Sequence, residues 1–165
     1  MATDTFLKLG DVKGESTDDK HRDEIEVLAF SWGMSQPGSM SGGGRSAGKV
    51  TFQDLHCKHS LDKASPNIMK ACATGEHIKE AVLTVRRPNR TPQEYLIISM
   101  SDVIVTSVAP DSSGGEAARI PENFTLSFAK VDLEYKPQNL DGSLDAGAHF
   151  KYDIKGDRKK AGEIG

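Results

Sequence analysis

The chain has 165 residues, of which 36% are hydrophobic and 27% are charged, with a formal net charge of −3. This composition is typical of a globular protein that is long enough to bury a sizeable core. The acidic balance gives no electrostatic reason to expect nucleic acid or an anionic membrane as the main partner. No apolar run approaches the roughly 20 residues that a membrane-spanning helix needs, so stable membrane insertion is not expected.

The start of the chain, MATDTFLKLG, lacks the basic segment and the continuous apolar core of a signal peptide. We therefore expect the protein to stay in the cytoplasm unless a dedicated machine exports it. Two cysteines are present, Cys57 and Cys72. In a chain without a signal peptide we expect them to be reduced core residues and not a disulfide.

Apolar and polar side chains alternate every two residues along most of the chain, with glycine, proline and asparagine between the runs, which predicts a mainly β protein. The predicted strands are 5–9, 24–32, 49–58, 81–87, 95–108, 124–135 and 150–154. Several strands change their apolar face midway, as a β-bulge or a bend would produce. We expect the bends to curl the strands into a closed β-barrel made of two packed antiparallel sheets.

One helix is predicted at about residues 62–74, laid against the barrel. Asp62 or Ser65 is suited to cap its start, and Pro66 is suited to its first turn. Gly75 is suited to the position just after its end. The apolar stripe that should face the sheet consists of Ile68, Met69 and Cys72.

The predicted strand 24–32 begins amphipathic and ends apolar on both faces. A strand that is apolar on both faces needs cover on both sides, which favours a subunit with a neighbour packed against it. Phe30 and Trp32 are therefore candidate subunit-interface residues, since aromatic residues are enriched at interface centres. For Trp32, a place in the protein's own core is an equal alternative.

Motifs that suggest catalysis, metal binding or nucleotide binding are incomplete. Residues 43–50, GGRSAGKV, nearly match a phosphate-binding P-loop, but Val50 replaces the hydroxyl residue and a strand pattern follows instead of a helix. A zinc hypothesis is suggested by His56, Cys57, His59, Cys72 and His77. Their spacing matches no standard zinc framework, and no serine, histidine and carboxylate form a recognisable catalytic frame. We expect no enzymatic activity, no metal and no cofactor.

Five blocks of the sequence together resemble the hemolysin-coregulated protein (Hcp) family of bacterial type VI secretion systems. In chain order the blocks are FLKLGDVKGES, EIEVLAFSWGMSQ, DKASPNIMKACATGEHI, EYLIISMSDVIVTSV and ENFTLSFAKVDLEY. The resemblance extends from Thr5 to about Tyr152. It implies a single β-barrel domain over residues 1–155, followed by a flexible tail over residues 156–165.

The resemblance also implies a function. Members of the family form hexameric rings that stack into a hollow tube, which a contractile sheath drives out of the cell with a tip protein at its end. The lumen of the ring carries and protects effector proteins. The protein would thus pass from the cytoplasm to the outside without a signal peptide. A freestanding β-barrel carrier that does not polymerise is the alternative.

Candidate site residues follow from the same resemblance. Ser31 falls where similar proteins face the lumen, and residues 33–48 correspond to the family's extended loop between rings. The inter-ring candidates within that loop are Met40, Ser41, Gly42, Gly43, Gly44, Arg45 and Ser46. The family's ring-edge turn corresponds to Asp111, Ser112, Ser113, Gly114 and Gly115.

Overall fold

The computed structural model describes residues 3–39, 46–47, 49–88, 91–112 and 119–156. Its strands are β1 (Asp4–Leu9), β2 (Ile25–Glu26), β3 (Ala29–Ser31), β4 (Met34–Ser35), β5 (Gly38–Ser39), β6 (Ser46–Ala47), β7 (Thr51–Phe52), β8 (Leu55–Ser60), β9 (Ile78–Arg87), β10 (Gln93–Pro110), β11 (Pro121–Tyr135) and β12 (Ala148–Asp153). The helix α1 (Ser65–Thr74) lies between β8 and β9. Except for Gly156, the predicted flexible tail lies outside the described residues.

In the described part of the chain, eight strands form one antiparallel sheet that curls into a half-barrel. Its order is β2, β1, β9, β10, β11, β8 and β3, with β12 added beside β11. The prediction of a mainly β protein is confirmed. The structure differs from the predicted two packed sheets because β10 and β11 pair along nearly their whole lengths and so hold both halves in one ladder.

The two end strands of this sheet, β2 and β3, are consecutive in the chain. At residue 27 the backbone N–H of Val27 donates to the carbonyl of Thr5 in β1 at 2.9 Å. One residue later, the N–H of Leu28 donates to the carbonyl of Lys58 in β8 at 2.7 Å. The chain therefore crosses from one end of the sheet to the other within two residues.

Three neighbouring strands change their buried face at the same level of the sheet. In β10, Asp102 has a φ of 52°, a left-handed conformation that aspartate tolerates better than most residues. Ser101, beside it, pairs with Glu80 of β9 on one side and with Lys130 of β11 on the other. We call this level the shared bend. It confirms the predicted change of face within residues 124–135 and contributes to the curl of the sheet.

Helix α1 begins later than predicted because its first residues form a turn. The Asp62 carboxylate accepts a hydrogen bond from the Ala64 N–H at 2.8 Å, and the Asp62 N–H donates to the Ser65 hydroxyl at 3.1 Å. Pro66 lies in the first turn, as predicted. Gly75 ends the helix with a φ of 67°, which glycine adopts without a steric penalty.

The buried face of α1 differs from the predicted stripe. Ile68 and Ala71 are buried, whereas Met69 is 36% exposed and Cys72 is half-buried. The helix packs against β10, where the shared bend turns Met100 and Val103 toward the core.

A cluster around the buried Arg86 fastens the segment before β2 to the sheet. Its guanidinium forms an ion pair with Asp18 and lies 4.8 Å from the centre of the Phe6 ring. The His21 ring stacks on Phe6 at 4.6 Å. The same imidazole is 2.7 Å from the carboxylate of Glu94, so charge and aromatic packing both hold this segment.

Asp18→Asn should destabilise the protein at neutral pH, by about 1–3 kcal/mol, because it removes a charged partner of Arg86. The Arg86 hydrogen bond lowers the pKa of Asp18 from its usual 3.8. A carboxyl whose pKa is lower in the folded state stabilises the fold above the unfolded pKa, and this stability is lost as pH falls through the folded value. The stability difference between the wild type and Asp18→Asn should therefore shrink on acidification below 3.8.

Guanidinium chloride unfolding of both proteins at about pH 7 and about pH 3 measures this difference. Asp19→Asn is the matched control, since Asp19 is exposed and the substitution removes the same charge next to Asp18. An equal stability loss in the two variants would show that the Arg86 pair contributes nothing specific.

Candidate functional site

The predicted loop over residues 33–48 is an extended hairpin in its described parts. At its base, β4 pairs with β7 through Met34 with Phe52 and Ser35 with Thr51. Further out, β5 pairs with β6 through Gly38 with Ala47 and Ser39 with Ser46. Ser46 is thus a strand residue of the outer ladder. The other inter-ring candidates, Met40, Ser41, Gly42, Gly43, Gly44 and Arg45, lie outside the described residues.

The hairpin projects away from the rest of the protein. Every residue from Met34 to Gly38 is exposed, and Lys49 and Thr51 on the returning arm are exposed as well. An isolated two-stranded hairpin is only marginally stable in water, so a hairpin with little burial on its own chain is suited to contact another molecule.

The segment that leads into the hairpin has a different pattern of burial from the one predicted. Leu28 is 65% exposed, while Phe30 and Trp32 of the same predicted face are half-buried against the core. The reason is the crossing from β1 to β8, which interrupts the alternation after Val27. Both candidate interface aromatics therefore make core contacts within their own chain, and Leu28 is the most exposed apolar side chain of this segment.

Ser31 is exposed and lies at one end of a row of polar side chains. The row crosses four strands through the pairs Ser31 with His56, His56 with Thr125, and Thr125 with Ser107. A bulge in β10 after Val105 places Thr106 beside Ser107, and both hydroxyls lie 2.6 Å from the Thr125 hydroxyl. We call this set the polar row. Ser31 was predicted as a lumen residue through the family resemblance, and His56 was part of the zinc hypothesis. Thr106, Ser107 and Thr125 were not predicted, because single hydroxyls in strands carry no sequence signal.

Apolar side chains are exposed near the predicted ring-edge turn. In that turn, Asp111 donates its N–H to the carbonyl of Pro121 at 2.8 Å, Asp111 and Ser112 are exposed, and Ser113, Gly114 and Gly115 lie outside the described residues. Leu61 and Ile120 are each 41% exposed and are joined by a backbone hydrogen bond of 2.7 Å. Leu28 and Leu61 line the same depression, about 410 Å³ in volume. Leu28 belongs to the apolar second face predicted for the strand 24–32, whereas Leu61 and Ile120 were not among the predicted interface residues.

The residues of the zinc hypothesis do not converge. Cys57 is buried, and burial raises the pKa of its thiol to about 12. The imidazole of His59 is buried 2.7 Å from Glu122, whereas that of His77 lies on the surface 2.7 Å from Asp102. Among the residues that the structure describes, no group of three or more His, Cys, Asp or Glu side chains is arranged to hold a metal ion. Half of the partial P-loop match, residues 43–45 and 48, lies outside the described ranges.

No helix in the described ranges has the length and the apolar character needed to cross a membrane. The profile of the family described as "Type VI secretion system effector, Hcp" matches residues 6–135. This match covers well over half of the chain and includes most of the curled sheet and helix α1. The chain therefore belongs to the Hcp family of the type VI secretion system.

Individual relatives support the same assignment. The chain is 54% identical over 149 residues to protein hcp1 of Pseudomonas aeruginosa, covering 89% of this chain and 91% of that protein. The crystal structure of Hcp1 from Salmonella typhimurium has a TM-score of 0.78 and 40% identity, covering 94% of this chain and 97% of that chain. A further solved structure of a type six secretion system protein has a TM-score of 0.87 and 29% identity, covering 93% of this chain and 96% of the other.

Proposed function

We propose that this protein is the structural subunit of a type VI secretion tube. Copies of the chain close into a hexameric ring, and rings stack into a hollow tube that is secreted from the cytoplasm. The observation that carries the proposal is the projecting hairpin, in which Gln36, Pro37 and Gly38 on one arm and Lys49 on the other are exposed to solvent. Contact with the next ring would give this hairpin the burial that its own chain does not provide.

We infer that the half-barrel of each subunit closes into a barrel through the segment between β2 and β3, whose backbone hydrogen bonds go to β1 at Val27 and to β8 at Leu28. Since the chain itself links both ends of the sheet, neither end strand presents a long free edge to a neighbour.

The ring interface is proposed to include the exposed apolar surface of Leu28, Leu61 and Ile120, together with the remaining exposed parts of Phe30 and Trp32. Clustered apolar side chains on a soluble protein often mark a contact with another molecule. The ring-edge turn at Asp111 follows directly on β10, near this surface. A head-to-tail contact that rotates shut generates a closed ring.

The polar row is proposed as part of the lumen wall, with Ser31 as its member nearest the hairpin. Its hydroxyl and imidazole groups can donate and accept hydrogen bonds, which suits contact with the polar surface of a folded effector. The further partners in this proposal are the tip protein, the contractile sheath and effector proteins of the same system.

Electron microscopy and light scattering of the purified protein test the proposal. We expect closed rings with the mass of a hexamer of the 17.8 kDa chain, and tubes of stacked rings at high protein concentration. A monomer that persists at every concentration would overturn the proposal and favour the freestanding carrier.

A further inference from the structure

We propose that a row of five aromatic rings fixes the direction of the hairpin and that tube growth depends on this row. The inference rests on the proposed function, because it assigns positioning residues to the contact between rings. In spatial order the rings are Phe128, Trp32, Phe52, Tyr152 and Phe150. We call them the aromatic row.

The five aromatic side chains form a continuous series of contacts. Trp32 lies 5.9 Å from Phe128 and 6.2 Å from Phe52, measured between ring centres. Phe52 lies 4.9 Å from Tyr152, which stacks on Phe150 at 6.0 Å. Separations of this size are within the range in which aromatic pairs add stabilisation beyond their buried area.

The row joins both arms of the hairpin to the body of the protein. Trp32 comes just before the outgoing arm, and Phe52 is the last residue of the returning arm. The residues that follow Trp32 and Phe52 are joined as well, because the Gln53 N–H donates to the Gly33 carbonyl at 2.9 Å. At the two ends of the row, Phe128 is a core residue of β11, and Phe150 is packed against the core from β12.

Little else in the described residues restrains the hairpin. Beyond Met34 on the outgoing arm, the described side chains are exposed through Gly38. The outgoing arm from residue 34 to residue 39 is roughly 20 Å long at the usual rise of a strand. A tilt of about 10° at the base therefore moves the end of the arm by roughly 3–4 Å, which is enough to break a hydrogen bond.

The indole N–H of Trp32 supports a packing role. This donor is buried and has no hydrogen-bond partner among the described residues. Burying an unpaired donor is unfavourable, so hydrogen bonding does not explain a tryptophan at this position. A tryptophan is explained by its size and shape, because the indole reaches both Phe128 and Phe52.

Phe52→Leu tests the inference, because it keeps an apolar side chain and removes the ring that links Trp32 to Tyr152. We expect rings to form as in the wild type, while the mass of tubes at a fixed protein concentration falls about tenfold, a factor that corresponds to roughly 1.4 kcal/mol of contact energy. Phe52→Tyr should form tubes like the wild type, because tyrosine keeps an aromatic side chain at this position.

Hairpin mobility gives a readout that a loss of general stability would not change. A dye on Gln36→Cys in a Cys72→Ser background reports on the exposed arm, while Cys57 stays unlabelled because burial raises its pKa to about 12. The fluorescence anisotropy of this dye should fall in Phe52→Leu. Phe124→Leu is the matched control, since it removes a fully buried ring outside the row and should leave anisotropy and tube growth unchanged.

The outcomes separate this inference from the proposed function. If the wild type forms no rings or tubes, the proposed function fails. If the wild type forms tubes and Phe52→Leu forms them equally well, the proposed function stands and the aromatic row does not position the hairpin. Loss of rings as well as tubes in Phe52→Leu also overturns the inference. If this variant does not fold, Phe150→Leu at the outer end of the row replaces it.

Discussion

Replacing His59 with leucine is expected to lower the free energy of unfolding by about 3–5 kcal/mol, a typical cost of breaking a buried pair from one side. His59 and Glu122 are both fully buried, and the imidazole Nε2 lies 2.7 Å from the carboxylate Oε1. The other carboxylate oxygen, Oε2, has no hydrogen-bond partner among the described residues. Without His59, neither carboxyl oxygen of Glu122 would have a hydrogen-bond partner among the residues that the structure describes.

A double-mutant cycle measured by urea unfolding checks this result. The variants are His59→Leu, Glu122→Met and the double variant, which replaces the pair with apolar side chains. The double variant should be more stable than His59→Leu, because it leaves no unpaired polar side chain in the core. His77→Leu is the control, since it removes a histidine that pairs with a carboxylate at the surface. It should change stability little. A double variant whose loss equals the sum of the single losses would contradict the coupling of His59 with Glu122.

Replacing residues 38–47 with an Asn-Gly turn is expected to abolish tube growth while rings still form. The replacement removes the outer ladder, β5 and β6, and keeps the base where β4 pairs with β7. Asn-Gly suits a tight turn between antiparallel strands. Folding stability should change little, because the entropy of loop closure varies slowly with loop length.

Thermal unfolding, light scattering and electron microscopy measure the stability, the ring mass and the tubes of this variant. A matched control replaces the same segment with glycine and serine at unchanged length, so that it separates the contribution of length from that of side chains. If the shortened protein polymerises like the wild type, the hairpin is not the joint between rings.

The alternation of side chains was enough to predict most of the sheet, because burial of a strand in a curled sheet repeats every two residues. In β8, Leu55, Cys57 and His59 are buried and the residues between them are not. The end of α1 at Gly75 was predictable for a similar reason, since the signal lies in one residue with a specific backbone conformation.

Features that depend on distant partners were not predictable in this way. The buried pair of His59 and Glu122 joins residues 63 positions apart, and nothing near either residue indicates the other. The exposure of Leu28 results from the crossing between β1 and β8, which depends on strands on both sides. The polar row likewise forms only when four strands pair in the observed register. Local patterns predict which residues form strands, whereas pairing decides which of them lie together.

The shared bend couples the lengths of three strands. Because Glu80, Ser101 and Lys130 lie side by side in the sheet, each strand has a fixed number of residues before and after the bend. Inserting one residue into β10 alone would exchange the inward and outward side chains along the rest of that strand. Evolutionary gain or loss of residues is therefore expected in the connections between strands and in the hairpin. A fused peptide or tag should leave folding intact at the same sites, but in the hairpin it would interfere with the proposed contact between rings.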